Sequence, residues 1–412
     1  MIPMTRATGH SWSQTTPARA STLALLLIAS TLVVMTGSVV APVLEVIRSD
    51  LEVSGTEAGL IVTAHSLAIA VSSPLMGKLT DRLGVRPLLA AGLALYGIAG
   101  GAGLLAASYP ALIASRLFFG IGAAAVFSTT TTALLIFYQG QLKDRVMGWR
   151  TTATSVGGMV WPLLGGALGG HSWHAPFAIY LVGIPLAIAT LAVLPPARPG
   201  RKTPSGGHGL AQLLMHNPAL LSVYGMLMAS AVFMYVVIIF VPQRLATLGV
   251  HEPFLVAIYS VTTCSATMSL VGLAYGRLRA RLRYRTLLRL AAAAWIIAFV
   301  VMGTASQPPI LLAAPVLFGM GQALAIPLLT SLVGASVAPQ QRGSATSMIG
   351  TAVCTGQFLS PLLIGPVIAA TSVTTGFLIT AGIACLILVA LKVRPSVLEH
   401  RKTTSGRDRS RV

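Results

Sequence analysis

The sequence repeats itself at a spacing of 199 residues. The eleven-residue segment Gly77-Lys-Leu-Thr-Asp-Arg-Leu-Gly-Val-Arg-Pro87 returns in weakened form as Gly276-Arg-Leu-Arg-Ala-Arg-Leu-Arg-Tyr-Arg285. At the same offset Phe119, Gly120 and Gly122 become Phe318, Gly319 and Gly321. Pro162, Leu163, Leu164 and Gly166 become Pro361, Leu362, Leu363 and Gly365. Each repeat is longer than the 20 to 50 residues of a solenoid unit. The chain is therefore expected to be two similar bodies, with whatever it binds held between them.

Composition fixes the medium. Of the 412 residues, 55% are hydrophobic and only 9% are charged. A soluble domain carries about a quarter charged residues, so this chain could not coat a globule of its size. Its apolar residues fall in blocks of about 20, the length that crosses a hydrocarbon core roughly 30 Å thick. Lipid allows only helices or closed barrels, and block length without period-two alternation selects helices. The expectation is an all-α membrane protein of twelve transmembrane helices in two six-helix pseudo-symmetric halves. The helices are placed at 22–43, 55–76, 87–107, 110–137, 147–169, 175–194, 218–241, 254–275, 287–305, 310–333, 345–370 and 376–393. An apolar chain doubled in this way points to a transporter, because such folds place a substrate site between the repeats.

The formal charge of +19 would suit a nucleic-acid binder, but the cations do not gather on one face. Counting alternate loops, 25 of the 28 Lys and Arg fall on one side, leaving Arg48, Arg244 and the intrahelical Arg116. The positive-inside rule then puts both termini in the cytoplasm of a cell (inner) membrane protein. The first outer loop is acidic, with Glu45, Asp50, Glu52 and Glu57. Arg6 and Arg19 precede the first apolar run as in a signal peptide, but no small-residue cleavage site follows, so an uncleaved first helix is expected. The domain reading is a first half at 1–194, a basic Pro/Gly-rich cytoplasmic linker at 195–217, a second half at 218–394 and a basic tail at 395–412. Cys264, Cys354 and Cys385 are odd in number and lie in apolar blocks, so they form no disulfide framework. No metal spacing, no nucleotide-binding loop and no nucleophile triad is present, and no cofactor is called for.

The Gly77 segment resembles the signature of the major facilitator superfamily, Gly-x-Leu-x-Asp-Arg-x-Gly-x-Arg, matching at Gly77, Leu79, Asp81, Arg82, Gly84 and Arg86. Arg116-Leu-Phe-Phe-Gly120-Ile-Gly122 is similar to the family's fourth-helix motif. Gly148, Gly157, Trp161-Pro162 and Gly165-Gly166 resemble the fifth-helix motif of its twelve-helix drug/proton antiporter branch, with Trp161 where the family has Gly. The resemblance implies that Gly77, Asp81, Arg82, Gly84 and Arg86 form a latch joining the halves on the cytoplasmic side. The bland alternative is that these charges only set topology. The second copy has Ala280 for Asp81 and Arg283 for Gly84, and is expected to keep topology but little of the latch.

Five residues are candidates for substrate or proton handling. Arg116 lies inside an apolar helix, where a charge is costly and should face a partner or a wet cavity. It either binds an anionic group or tunes a neighbour, or it snorkels to the outer surface. His65, near the middle of the second helix, can titrate near neutral pH, or is a neutral histidine bonded in the bundle. Trp161 interrupts the four-residue spacing of Gly157 and Gly165, and either lines the cavity or packs at the seam. Gln322 and Gln357 read as interhelical hydrogen bonders or as cavity lining. All nine acidic residues fall in predicted loops, tails or helix ends, which either weakens a proton-antiport reading or moves proton handling to His65, Arg116 or Glu45.

The preferred reading is a secondary active transporter, not an enzyme: a monomer in the bilayer that exports a small organic molecule, a drug or metabolite, in exchange for protons by alternating access. Uptake or facilitated passage of a small organic anion held by Arg116 is the alternative. A non-transporting sensor or assembly factor on the same fold is the alternative of another class. A nucleic-acid partner is not expected.

Overall fold

The computed structural model describes residues 20–196, 218–337 and 342–393. The linker (from 197 to 217) and the two tails expected from the sequence lie outside the described residues. Twelve long helical segments are present among those described: α1 Ala20–Ser38, α2 Gly55–Leu83, α3 Val85–Gly101, α4 Tyr109–Phe137, α5 Gly140–Gly169, α6 Ala175–Val193, α7 Pro218–Thr247, α8 Pro253–Arg281, α9 Tyr284–Thr304, α10 Pro308–Ala335, α11 Arg342–Ala370 and α12 Val373–Val393. Eleven spans are long and apolar enough to cross a membrane. The exception is α5, rich in Thr and Gly. It packs against α1 and α8 through a few small residues, Gly157, Gly158, Gly165 and Gly166.

Several helices run further than their apolar blocks. The largest correction falls on the Gly77 segment, expected as a loop. It is the last two turns of α2, with Gly77, Asp81 and Arg82 helical and only Gly84 breaking the chain. No residue from Lys78 to Leu83 is a helix breaker, and a charged helix end can stand in the headgroup layer. Gly84 has φ 87°, a left-handed conformation that a side chain disfavours, and its N–H closes α2 on the Thr80 carbonyl at 3.0 Å. The second copy follows suit: α8 is helical to Arg281, and only Leu282 and Arg283 separate it from α9. Arg283 has φ −73°, so this junction needs no glycine. At the other end of α2, Ser54 and Glu57 form a reciprocal capping box.

Each half has its own apolar core. One runs from Leu26 to Leu194 and is built on Tyr96, Phe119, Phe177 and Tyr180. The other is built on Phe233, Trp295, Phe299, Phe318 and Phe377. The repeat is visible atom by atom. A Cβ on Gly120 would strike the His65 carbonyl oxygen, and one on Gly319 would stand 2.7 Å from the carbonyl of Cys264, which is 199 positions after His65. Gly122 lies against Tyr96 and the Gly92 carbonyl, as Gly321 lies against Trp295 and the Ala291 carbonyl. The Phe-Gly-x-Gly motif thus lets α4 and α10 settle backbone to backbone on their neighbours.

The halves touch along two seams, α2 with α11 and α5 with α8. Contact is concentrated at the acidic end, which carries Glu45, Asp50, Glu57 and Glu252. There Gly59 faces Pro361 and Ile239, Gly365 faces Thr56, and Gly166 faces the Pro253 carbonyl. Ala41, Leu44, Ala58 and Val62 of the first half belong to the core of the second. At the basic end the glycines Gly77, Gly148, Gly272, Gly276 and Gly350 have no neighbour within 4 Å of where a Cβ would stand. The close glycine contacts between the halves among the described residues thus lie toward the acidic end.

Candidate functional site

Arg116 sits in the core of the first half with 1% of its surface exposed. Its Nη2 donates to the Gly100 carbonyl at 2.8 Å and its Nε to Ser115 Oγ at 3.4 Å, while Nη1 is buried without a well-formed hydrogen bond. The guanidinium carbon lies 4.8 Å from the ring centres of Phe119 and Phe177 and 5.2 Å from that of Tyr180. Cation–π contact of this kind contributes up to about 2 kcal/mol per desolvated ring, which offsets part of the cost of burying the charge. The box is rigid: Tyr96 donates to the Leu32 carbonyl at 2.8 Å and Tyr180 to the Thr36 carbonyl at 3.2 Å. No carboxylate balances Arg116. Among the described residues the one ion pair is Arg48–Glu45 at 2.5 Å. The guanidinium therefore neither reaches the outer surface nor lies open to a solute in this state.

His65 shares a wall of that box, its ring 6.0 Å from Phe119 in edge-on contact. It is 1% exposed. Its Nε2 lies 3.3 Å from Ser66 Oγ, and Ser66 Oγ donates to Gln357 Oε1 at 2.7 Å. A hydroxyl has one hydrogen to give. Ser66 gives it to Gln357, so in any bond with His65 Nε2 the Ser66 oxygen is the acceptor. Nδ1 faces back toward the Val62 backbone without a well-formed bond. The Ser66–Gln357 bond crosses from α2 to α11, so it joins the halves. Tyr235 of α7 completes the cluster, its hydroxyl beside Ser66 and against Gly37.

The pseudo-symmetric position lacks this bridge. The counterparts of Ser66 and Gln357 across the repeat are Ser265 and Gly158, and they meet at the α5–α8 seam with Ser265 Oγ 3.2 Å from a Cβ built on Gly158. A glycine offers no side-chain acceptor.

The other candidates are dispersed. Gln322 is 2% exposed and donates to the Ser230 carbonyl at 2.9 Å, tying α10 to α7 inside the second half. Trp161 is half-buried, its indole folded back over Gly157, with Nε1 buried and unpartnered. Gly157 packs on Thr31 of α1 and Gly165 on Val39 just beyond it, whereas Gly158 and Gly166 face α8, so the fifth-helix glycines serve two seams at once. Pro162 is buried within α5, and Gly148 stands at the basic end. Asp81 and Arg82 are exposed there, and Asp81 makes no ion pair. Arg86 donates to the Leu191 carbonyl of α6. Glu45 and Arg48 line an open cavity of about 480 Å³ at the acidic end, with Gly55, Gln243 and Gly365. Ser66 and Tyr235 carried no sequence signal of their own. Ser66 could have been noticed because its repeat partner Ser265 is also serine.

The family model of the Major Facilitator Superfamily matches residues 26–274 and 246–411. The chain belongs to the major facilitator superfamily. Within it, a stretch of 195 residues is 31% identical to the multidrug efflux pump LfrA of Mycolicibacterium smegmatis, covering 47% of this chain and 38% of that protein. A stretch of 158 residues is 27% identical to the multidrug efflux pump SdrM of Staphylococcus aureus, covering 38% and 34%. The chain thus spans little more than a third of the curated relatives it matches. The crystal structure of a D323A mutant of the nucleoside transporter NupG superposes with a TM-score of 0.74 over 90% of this chain and 98% of that one, at 17% identity, which establishes the fold. As a major facilitator protein the chain is a multi-pass membrane transporter, not an enzyme.

Proposed function

We propose that this transporter exports a small, partly apolar organic molecule in exchange for protons, with the basic end in the cytoplasm. The observation that carries the reading is the chain His65–Ser66–Gln357, which runs from the Arg116 box of the first half to the second half. A proton gained at His65 places a positive charge beside Arg116 and next to Ser66, the residue that bridges the halves. Coupling requires that the ion bind the two states of the cycle unequally, and a titrating side chain bonded to an interhelical bridge meets that need. The likeness of about half the chain to multidrug efflux pumps supports export of a drug or metabolite.

The positive-inside bias supports a cytoplasmic basic end, and the close contacts toward the acidic end fit an inward-open state. Asp81 would engage as a latch only when that end closes. Its lack of an ion pair here fits a state in which the latch is released. An organic anion bound by Arg116 would need the aromatic box to open, since Phe119, Phe177 and Tyr180 enclose the guanidinium.

The test is transport by inverted and right-side-out vesicles under an imposed pH gradient, with a panel of fluorescent drugs. Accumulation in inverted vesicles that are acidic inside, lost when the gradient is collapsed, is the expected result. Accumulation indifferent to the gradient would remove the proton.

A further inference from the structure

The α8–α9 junction carries more cation than topology requires. Six arginines lie between 277 and 289 with no acidic residue among them, against three cations and Asp81 in the matching stretch of the first half. Arg277, Arg281 and Arg283 are exposed. Arg279 is held in place, stacked 3.5 Å above the Tyr284 ring and donating to the Leu282 carbonyl at 3.1 Å. Only two residues separate the helices, so every one of these cations stands within two or three turns of the same membrane surface.

The second observation is apolar. Leu270 and Leu273, at 70% and 83% exposure, share one face of α8 with Arg277 and Arg281. The spacings of three, four and four residues keep all four side chains in one stripe. The exposure of both leucines leaves the stripe uncovered by protein. An uncovered stripe that is aliphatic within the membrane and doubly cationic at its surface has the polarity profile of a phospholipid in reverse: tail against leucine, phosphate against guanidinium. Arginine grips phosphate with a planar fork, so its charge is directional.

We propose that the α8–α9 turn binds one anionic phospholipid, its acyl chain along Leu270 and Leu273 and its phosphate on Arg277, Arg281 and Arg283. The equivalent turn after α2 is a poorer site. There Asp81 takes the place of Ala280 and sets a carboxylate among the cations, and Gly84 takes the place of Arg283. The proposal is independent of what the protein transports.

The test uses the full chain in nanodiscs of phosphatidylcholine, with phosphatidylglycerol introduced in steps and melting followed. Phosphatidylglycerol should raise the melting temperature of the wild type by several degrees. The double variant Arg277→Gln/Arg281→Gln should lose at least half of that rise, while Arg277→Lys/Arg281→Lys keeps more of it and the control Lys143→Gln/Arg145→Gln keeps all of it. Equal rises in wild type and the double glutamine variant would overturn the proposal. So would an equal loss in the control, which would indicate net charge alone, or the same rise produced by soluble glycerol phosphate. Native mass spectrometry of the wild type from mixed micelles gives a second reading that needs no variant. Preferential retention of phosphatidylglycerol is expected, and equal retention of both lipids would contradict the site.

Discussion

The two halves have nearly the same scaffold and very different polar contents. At positions 199 apart, the backbone contacts match: Gly120 on His65 and Gly319 on Cys264, Gly122 on Tyr96 and Gly321 on Trp295. The chemistry does not. His65 pairs with Cys264, Arg116 with Pro315, Asp81 with Ala280, and Gln357 with Gly158. The first half therefore holds the buried cation and the titratable ring, and the second half reaches them through one amide. The lesson is that helix packing holds both halves to the same glycines, whereas the buried polar constellation is confined to one of them.

The comparison breaks most severely if its shared part is attacked. Gly120→Val and Gly319→Val each drive a side chain into a neighbouring backbone, and both should prevent recovery of folded protein, since overpacking of even a methylene or two costs roughly 1–3 kcal/mol. Size-exclusion profiles of the solubilised variants check this, and survival of one but not the other would deny that the two packings are equivalent.

Next in size is the unshared part. Arg116→Ala should abolish transport, and Arg116→Lys should retain a fraction of it, because lysine keeps the charge but not the fork that holds Gly100. Pro315→Ala should transport normally. Rates in proteoliposomes, normalised to inserted protein, separate these outcomes, and normal transport by Arg116→Ala would make the aromatic box merely structural.

The latch gives an intermediate effect. Asp81→Asn should insert normally and lose most transport, while Ala280→Asp should matter far less. Wild-type rates from Asp81→Asn would assign the segment to topology alone.

The smallest expected effect concerns the seams. Ser66→Ala removes the crossing bond and should shift the balance between states by about 1 kcal/mol, a factor of roughly five. Ser265→Ala, facing Gly158, should shift nothing. Spin-label distances across the basic end report the balance directly, and equal shifts from both variants would dissolve the asymmetry.

Much of this was readable from residues. Apolar blocks located the helices, and the charge bias in alternate segments split the chain into a basic and an acidic end. The helix ends were less legible, because nothing in Lys78 to Leu83 stops a helix and hydropathy marks where lipid ends rather than where helix ends. Arg116 and His65 stood out because each is costly in lipid. Their shared wall at Phe119 did not, since contact between α2 and α4 depends on how closely Gly120 lets the backbones approach. Ser66 and Tyr235 were invisible because hydroxyl groups are common in such helices and only tertiary packing decides which ones cross between bodies. Gln322 and Gln357 looked alike in sequence. One is spent inside its own half and the other spans the interface.

The central claim is that coupling resides at His65 and that its repeat partner is only packing. The most direct measurement compares His65→Gln with Cys264→Ala in proteoliposomes, scoring substrate exchange without a gradient and accumulation under an imposed pH gradient. Glutamine keeps a polar group but does not titrate in this range. The account predicts that His65→Gln exchanges substrate yet fails to accumulate it, while Cys264→Ala does both. Full gradient-driven accumulation by His65→Gln would contradict it and pass the role to Glu45 or to another ion.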